Sequence, residues 1–142
     1  MIIGIDPGLG GAIAAIDTTT KGLVDALDLP VRINGKHKQV DAAKIARFIS
    51  LHNPTEIVIE RVNAMPPQRR RNKDGSPARA GTQSSFNFGR AFGALEAIGE
   101  ALGYPVRHVD PAVWKRGLGL TGKIKDYSRT LALELYPDAD LK

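Results

Sequence analysis

Hydrophobic and polar residues alternate along this chain in short blocks, and the block boundaries predict the elements. Met1 to Asp6 is an apolar run ending in an acid, and Gly11 to Asp17 is a second; the turn-rich Pro7-Gly8-Leu9-Gly10 separates them, which predicts two strands and a tight connection. Leu23 to Leu29 alternates apolar with acidic or small residues, as a half-exposed strand does, and Pro30 closes it. After Asp41, a predicted N-cap, Ile45, Phe48, Ile49 and Leu51 recur near helical spacing until Asn53-Pro54. The β-branched run Thr55 to Glu60 follows a helix and so reads as a strand parallel to the first.

Residues 61 to 83 show no apolar periodicity and read as a long loop, of the kind that is commonly functional in a compact domain. From Ser84 or Ser85 to Leu102 a helix is predicted, with Phe88, Phe92, Leu95, Ile98 and Leu102 as its apolar stripe. Ser85, Gly89, Gly93 and Ala97 form a second row, of small residues at spacing four, which points to close approach of another helix or a sheet. Gly103 ends the helix, and Tyr104 to Val109 predicts a fifth strand. Asp110-Pro111 starts a short helix carrying Trp114 and Lys115, and Lys123 to Leu135 is the last helix. The predicted fold class is α/β: a five-stranded mixed sheet in the order β-β-β-α-β-α-β-α-α, flanked by helices, forming one domain over residues 1–142.

Composition narrows the class further. The 142 residues are 42% hydrophobic and 25% charged, in the globular range. There is no cysteine, so disulfides, thiolate nucleophiles and Cys-ligated zinc are excluded and a reducing cytoplasm is expected. No apolar run approaches the length of a membrane span, and the N-terminus lacks signal-peptide organisation; no membrane partner is expected. The net charge of +5 sits in one place. Six cations (Arg61, Arg69, Arg70, Arg71, Lys73, Arg79) and one anion, Asp74, fall between Arg61 and Gln83, while the remaining residues balance. A concentrated basic patch predicts a polyanionic partner such as nucleic acid.

The candidate chemistry lies beside that patch. Asp6 and Glu60 each end a predicted strand, and a helical crossover between the strands would set them side by side at one sheet edge, where open α/β sheets bind ligands. Two bare carboxylates at that spacing repel each other, and a divalent cation removes the repulsion. Hard oxygen donors suit Mg²⁺ or Mn²⁺, and such a pair is half of a two-metal phosphodiester-cleaving site. His37, His52 and His108 show no ligand spacing and read as structural or solvent-facing, Trp114 reads as core, and Phe86, Phe88 and Phe92 as core or interface.

Four segments in order resemble the RuvC-type Holliday junction resolvases: Ile2 to Ala12 (IIGIDPGLGGA is the local run), Ile57 to Val62 (IVIERV), Gly89 to Ala94 (GRAFGA) and Val109 to Lys115 (VDPAVWK). The resemblance implies a ribonuclease H-like fold and a homodimer that grips a four-way DNA junction and nicks it symmetrically with Mg²⁺ or Mn²⁺, two ions in a complete site. It matches Asp6 and Glu60 to the first two metal-binding acids of the family. Lys115, Lys123 and Lys125 fall where the family carries basic residues near DNA, and Arg69, Arg70 and Arg71 would neutralise converging phosphates, with Met65 the nearest candidate wedge. The chain departs from the pattern at its end. The family's last acidic pair lies on a later helix, and Asp138 and Asp140 in PDADLK read as linker; the expectation is a site incomplete within residues 1–142, which bind branched DNA but cleave it poorly. Two other readings are carried: a non-catalytic branched-DNA-binding module, and an actin-like or sugar-kinase-type ATP-binding domain, which the opening turn permits.

Overall fold

The computed structural model describes residues 1–35, 37–61, 82–123 and 125–139. Seven strands and four helices follow one another as β1 (Ile2–Ile5), β2 (Ala12–Ile16), β3 (Leu23–Asp28), β4 (Val31–Asn34), β5 (His37–Val40), α1 (Ala42–His52), β6 (Glu56–Glu60), α2 (Thr82–Ala101), β7 (Val106–Val109), α3 (Pro111–Gly117) and α4 (Lys125–Leu135). The main sheet has five strands in the order β3-β2-β1-β6-β7. β1 pairs antiparallel with β2 and β2 with β3, whereas β6 runs parallel to both β1 and β7, the mixed sheet expected from the sequence.

Strand alternation builds the core. Ile3 and Ile5 on β1, Ile13 and Ala15 on β2, and Ile57 and Ile59 on β6 are buried on one face, where they meet Ile45, Phe48 and Ile49 of α1 and Leu95 of α2. Helix α1 begins as predicted: the Asp41 side chain accepts from the Lys44 N–H at 3.2 Å, and Asn53 ends the helix in the left-handed region at φ 42°.

The structure differs from the sequence expectation in two places. Residues 31 to 40, to which it assigned no element, form a separate two-stranded sheet, Val31 opposite Val40 and Asn34 opposite His37, so the element order gains a hairpin before α1. The buried row of α2 is Ala91, Leu95 and Gly99, with Phe92 and Ile98 beside it; Phe88 and Leu102, at the ends of the predicted stripe, are 36% and 38% exposed. Ser85, Gly89, Gly93 and Ala97 all lie on the exposed side of α2, and no atom approaches within 4 Å of the Cβ positions at Gly89 and Gly93. Gly99 is the glycine that close packing requires. A Cβ there would lie 2.7 Å from Val106 Cγ2 and 3.0 Å from Ile57 Cδ1, so α2 presses onto β6 and β7 at this point.

This asymmetry is testable by thermal denaturation. Gly99→Ala is expected to destabilise the fold by about 1–3 kcal/mol through overpacking, beyond the gain in helix propensity. Gly93→Ala, on the open face, is expected to stabilise the same helix by up to about 1 kcal/mol.

Candidate functional site

The parallel register of β1 and β6 builds the site. Ile5 pairs with Ile59, so the next residue on each strand, Asp6 and Glu60, emerges at the same edge of the sheet. Both follow the alternation away from the isoleucine core: Ile5 and Ile59 are buried, Glu60 is half-buried and Asp6 exposed. The sequence placed these two carboxylates side by side, and the structure brings them together there.

Asp6 is held by its own turn. Its N–H donates to the Ala12 carbonyl at 2.9 Å, and its Oδ1 accepts from the Gly8 N–H at 3.0 Å, an Asx turn that leaves Oδ2 uncommitted. Pro7 is fully buried beneath it. Gly11 closes the turn, where a Cβ would overlap the Asp6 carbonyl oxygen and crowd its carboxyl.

Glu60 is held by a residue that the sequence reading assigned to the core. Trp114 Nε1 donates to Glu60 Oε2 at 3.0 Å, and none of the residues of α3 is buried. Trp114 is a correction: it braces the candidate carboxylate, and Pro111, at the start of α3 directly after β7, sets the helix over that strand end. Partial burial pushes the Glu60 carboxyl above its ordinary value near 4.5; the Trp114 hydrogen bond opposes this, the neighbouring Asp6 carboxylate adds to it, and Lys115 opposes it. Lys115 also lies 5.3 Å from the centroid of the Trp114 ring, so one short helix sets a donor and a cation beside Glu60.

The remaining candidate cations are distributed unevenly. Arg61 lies 3.7 Å from Asp110, the residue that caps β7, so its charge is partly matched. Lys123 lies 5.1 Å from the Tyr127 ring centroid, and Lys125 stands at the start of α4. Arg69, Arg70, Arg71, Lys73 and Arg79, with Met65, lie outside the described residues. Asp138 follows α4 and lines a pocket with the β3 segment Gly22 to Ala26, away from the carboxylate edge, while Asp140 lies outside the described residues. His52 lies 3.1 Å from Asp25, His108 lies 3.3 Å from Glu96 and against Phe92, and His37 is exposed on β5.

Among the described residues no group of three or more His, Cys, Asp or Glu side chains could hold a metal ion. Asp6 and Glu60 are the two carboxylates that the register of β1 and β6 brings to this edge. Two carboxylates fit a hard divalent cation that completes its shell with water and phosphate oxygens, as Mg²⁺ does.

With that geometry in place, similarity to known structures identifies the fold. The chain superimposes on Thermus thermophilus RuvC with a TM-score of 0.62 and 14% identity, covering 99% of this chain and 84% of that one. It also matches T. thermophilus RuvC in complex with a Holliday junction substrate, at a TM-score of 0.61 and 15% identity, covering 86% of this chain and 71% of that one. This is the ribonuclease H-like α/β fold of RuvC. No family model matches the chain, and no curated protein matches it. No helix among the described residues is long and apolar enough to cross a membrane.

Two substitutions test the electrostatics of Glu60. Because its folded-state pKa is raised, the ionised carboxylate costs stability above that pKa and costs nothing below about 4.5, where both folded and unfolded forms are protonated. Glu60→Gln is therefore expected to raise the urea midpoint near pH 7 and leave it unchanged near pH 3.5. Trp114→Phe keeps an aromatic side chain but removes the donor; NMR titration is expected to find the Glu60 pKa higher still, with a stability loss of about 1 kcal/mol.

Proposed function

We propose that this chain is the nuclease domain of a metal-dependent, structure-specific DNA endonuclease that hydrolyses phosphodiester bonds in four-way junctions and related branched DNA. The observation that carries this reading is the pair Asp6 and Glu60, adjacent at the C-terminal edge of parallel strands β1 and β6 in a RuvC fold. A T. thermophilus RuvC of the same fold is known in complex with a Holliday junction substrate, which supports branched DNA as the partner class.

Asp6 and Glu60 would hold Mg²⁺ or Mn²⁺. When bound, such a cation supplies a nucleophilic water at neutral pH and stabilises the charge on the leaving oxygen. The protein groups have separate tasks. Asp6 presents Oδ2 because the Gly8 N–H already occupies Oδ1. Glu60 presents Oε1 because Trp114 fixes Oε2. Lys115 offsets part of the negative charge that a phosphate meets on approaching two carboxylates. The arginines and lysine of residues 69 to 79 follow Glu60 in the chain and are assigned to the converging phosphates, together with Lys123 and Lys125.

A homodimer belongs to this reading. The exposed small-residue row of α2 permits close helix approach, and Phe86, 59% exposed beside it, supplies apolar area. The non-catalytic module remains the second reading, because no third acid joins Asp6 and Glu60 among the described residues.

The two readings separate in one assay. With the protein that carries this chain, Mg²⁺-dependent nicking of a labelled four-way junction is expected, and Asp6→Asn is expected to lower its rate by at least about 100-fold with junction affinity retained. Nicking by Asp6→Asn at the wild-type rate rejects the site; no metal-dependent nicking by wild type, with junction binding intact, selects the non-catalytic module. Light scattering is expected to find a dimer that Gly93→Leu converts to monomer at unchanged far-UV circular dichroism.

A further inference from the structure

The β4–β5 hairpin is unused by the site described above, yet its position ties it to that site. β3 runs in the same direction as β1, because each is antiparallel to β2, so its C-terminal end reaches the edge that carries Asp6. Leu29 N–H donates to the Gly11 carbonyl at 2.8 Å, which ties the end of β3 to the residue closing the Asp6 turn. The hairpin starts two residues later and returns at Asp41, whose N–H donates to the Pro30 carbonyl at 2.7 Å. It therefore projects from the carboxylate edge, with β5 lying against α2.

The two faces of the hairpin differ in chemistry. Register and alternation put Val31, Val40, Ile33 and Lys38 on one face, and Val40 packs against the core. Arg32, Gln39, Asn34 and His37 share the other face: a guanidinium, two carboxamides and an imidazole, all hydrogen-bond donors. Arg32, Asn34 and His37 are exposed. No acid occurs from Leu29 to Val40. Elsewhere, Arg107 makes two hydrogen bonds to Glu56, and Arg61 and Lys44 lie within 4.0 Å of aspartates; Arg32 has no ion pair among the described residues.

We propose that the face formed by Arg32, Asn34, His37 and Gln39 binds the sugar–phosphate backbone of a DNA duplex arm leaving the carboxylate edge. This rests on the reading of that edge as a DNA site and adds a second contact, on the β3 side of Asp6. Phosphate oxygens are acceptors only, and a face on which every side chain can donate and one carries a fixed positive charge is complementary to them.

The test measures binding of a fluorescent four-way junction, and of a linear duplex with the sequence of one arm, between 50 and 200 mM salt. Arg32→Gln is expected to weaken both about fivefold and to flatten the log–log salt slope by about 0.9, one lost phosphate contact. Arg32→Lys keeps the charge and is expected to keep the slope. Lys38→Gln removes the same charge from the opposite face and is expected to leave the slope within error. An unchanged slope for Arg32→Gln, or an equal loss for Lys38→Gln, overturns the proposal while leaving the nuclease reading intact if wild type still binds and nicks the junction. Failure of wild type to bind either DNA overturns both.

Discussion

The parallel hydrogen-bonded register of β1 and β6 is the constraint on which the rest of the structure depends. Once Ile5 is opposite Ile59, two acids must leave the sheet together, and their repulsion has to be managed by whatever surrounds them. Asp6 is stabilised by a backbone N–H in its own turn, and Glu60 by an indole N–H and an ammonium supplied from α3. These groups stabilise each carboxylate without neutralising the pair. The Asp6 charge still raises the Glu60 pKa, so the two carboxylates remain mutually repelling rather than fully paired.

The glycines follow from the same constraint. Gly11 lets the chain turn back against the Asp6 carbonyl, which keeps the two strands flanking the turn in register and the carboxyl at the rim. Gly99 lets α2 come down onto Ile57 and Val106, the β6 and β7 residues on the core side of the sheet. A helix standing further off would leave a void under β6 and loosen the strand that carries Glu60, at a cost that scales with cavity volume. The close approach that positions the site thus lies on the buried side of α2, and the Ser85-Gly89-Gly93-Ala97 row remains free to meet another surface.

The fold was legible in the sequence wherever one residue's role is decided by local periodicity. Alternating isoleucines specify β1 and β6, Asp41 and Asn53 delimit α1, and Asp6 and Glu60 stand out because an acid ends each run. Roles decided by tertiary contact were not legible. Trp114 is amphipathic, and nothing local distinguishes a core indole from one that donates to a carboxylate 54 residues away. Small residues at spacing four look identical whether they face the sheet or solvent, and Gly99, outside that row, is the glycine against which the sheet packs. The hairpin did carry a signal, Gly35 following Asn34 and the β-branched Val31 and Ile33, at φ +62°. Its polar composition hid it, because the ribbon buries little beyond Val31, Gln39 and Val40, and those only in part.

A two-carboxylate edge presents an electrostatic problem to a phosphodiester substrate. The acids that would bind a cation also repel the phosphate, so positive charge has to be close enough to attract DNA yet unable to pair with the acids and cancel the cation site. Arg61 illustrates the solution: it follows Glu60 directly in sequence, but its guanidinium pairs with Asp110 on the neighbouring strand end. Lys115 is near enough to lower the Glu60 pKa but makes no ion pair with it, its ammonium lying by the indole ring instead. Arg32 stands on the hairpin that starts from the same edge. Cations that make no direct pair with these acids attract a polyanion over roughly a Debye length while leaving the short-range field at Asp6 and Glu60 negative. That ordering, negative at the centre and positive around it, is what a metal-dependent phosphodiesterase needs, and it follows from which strand ends and which helix starts the fold brings to one edge.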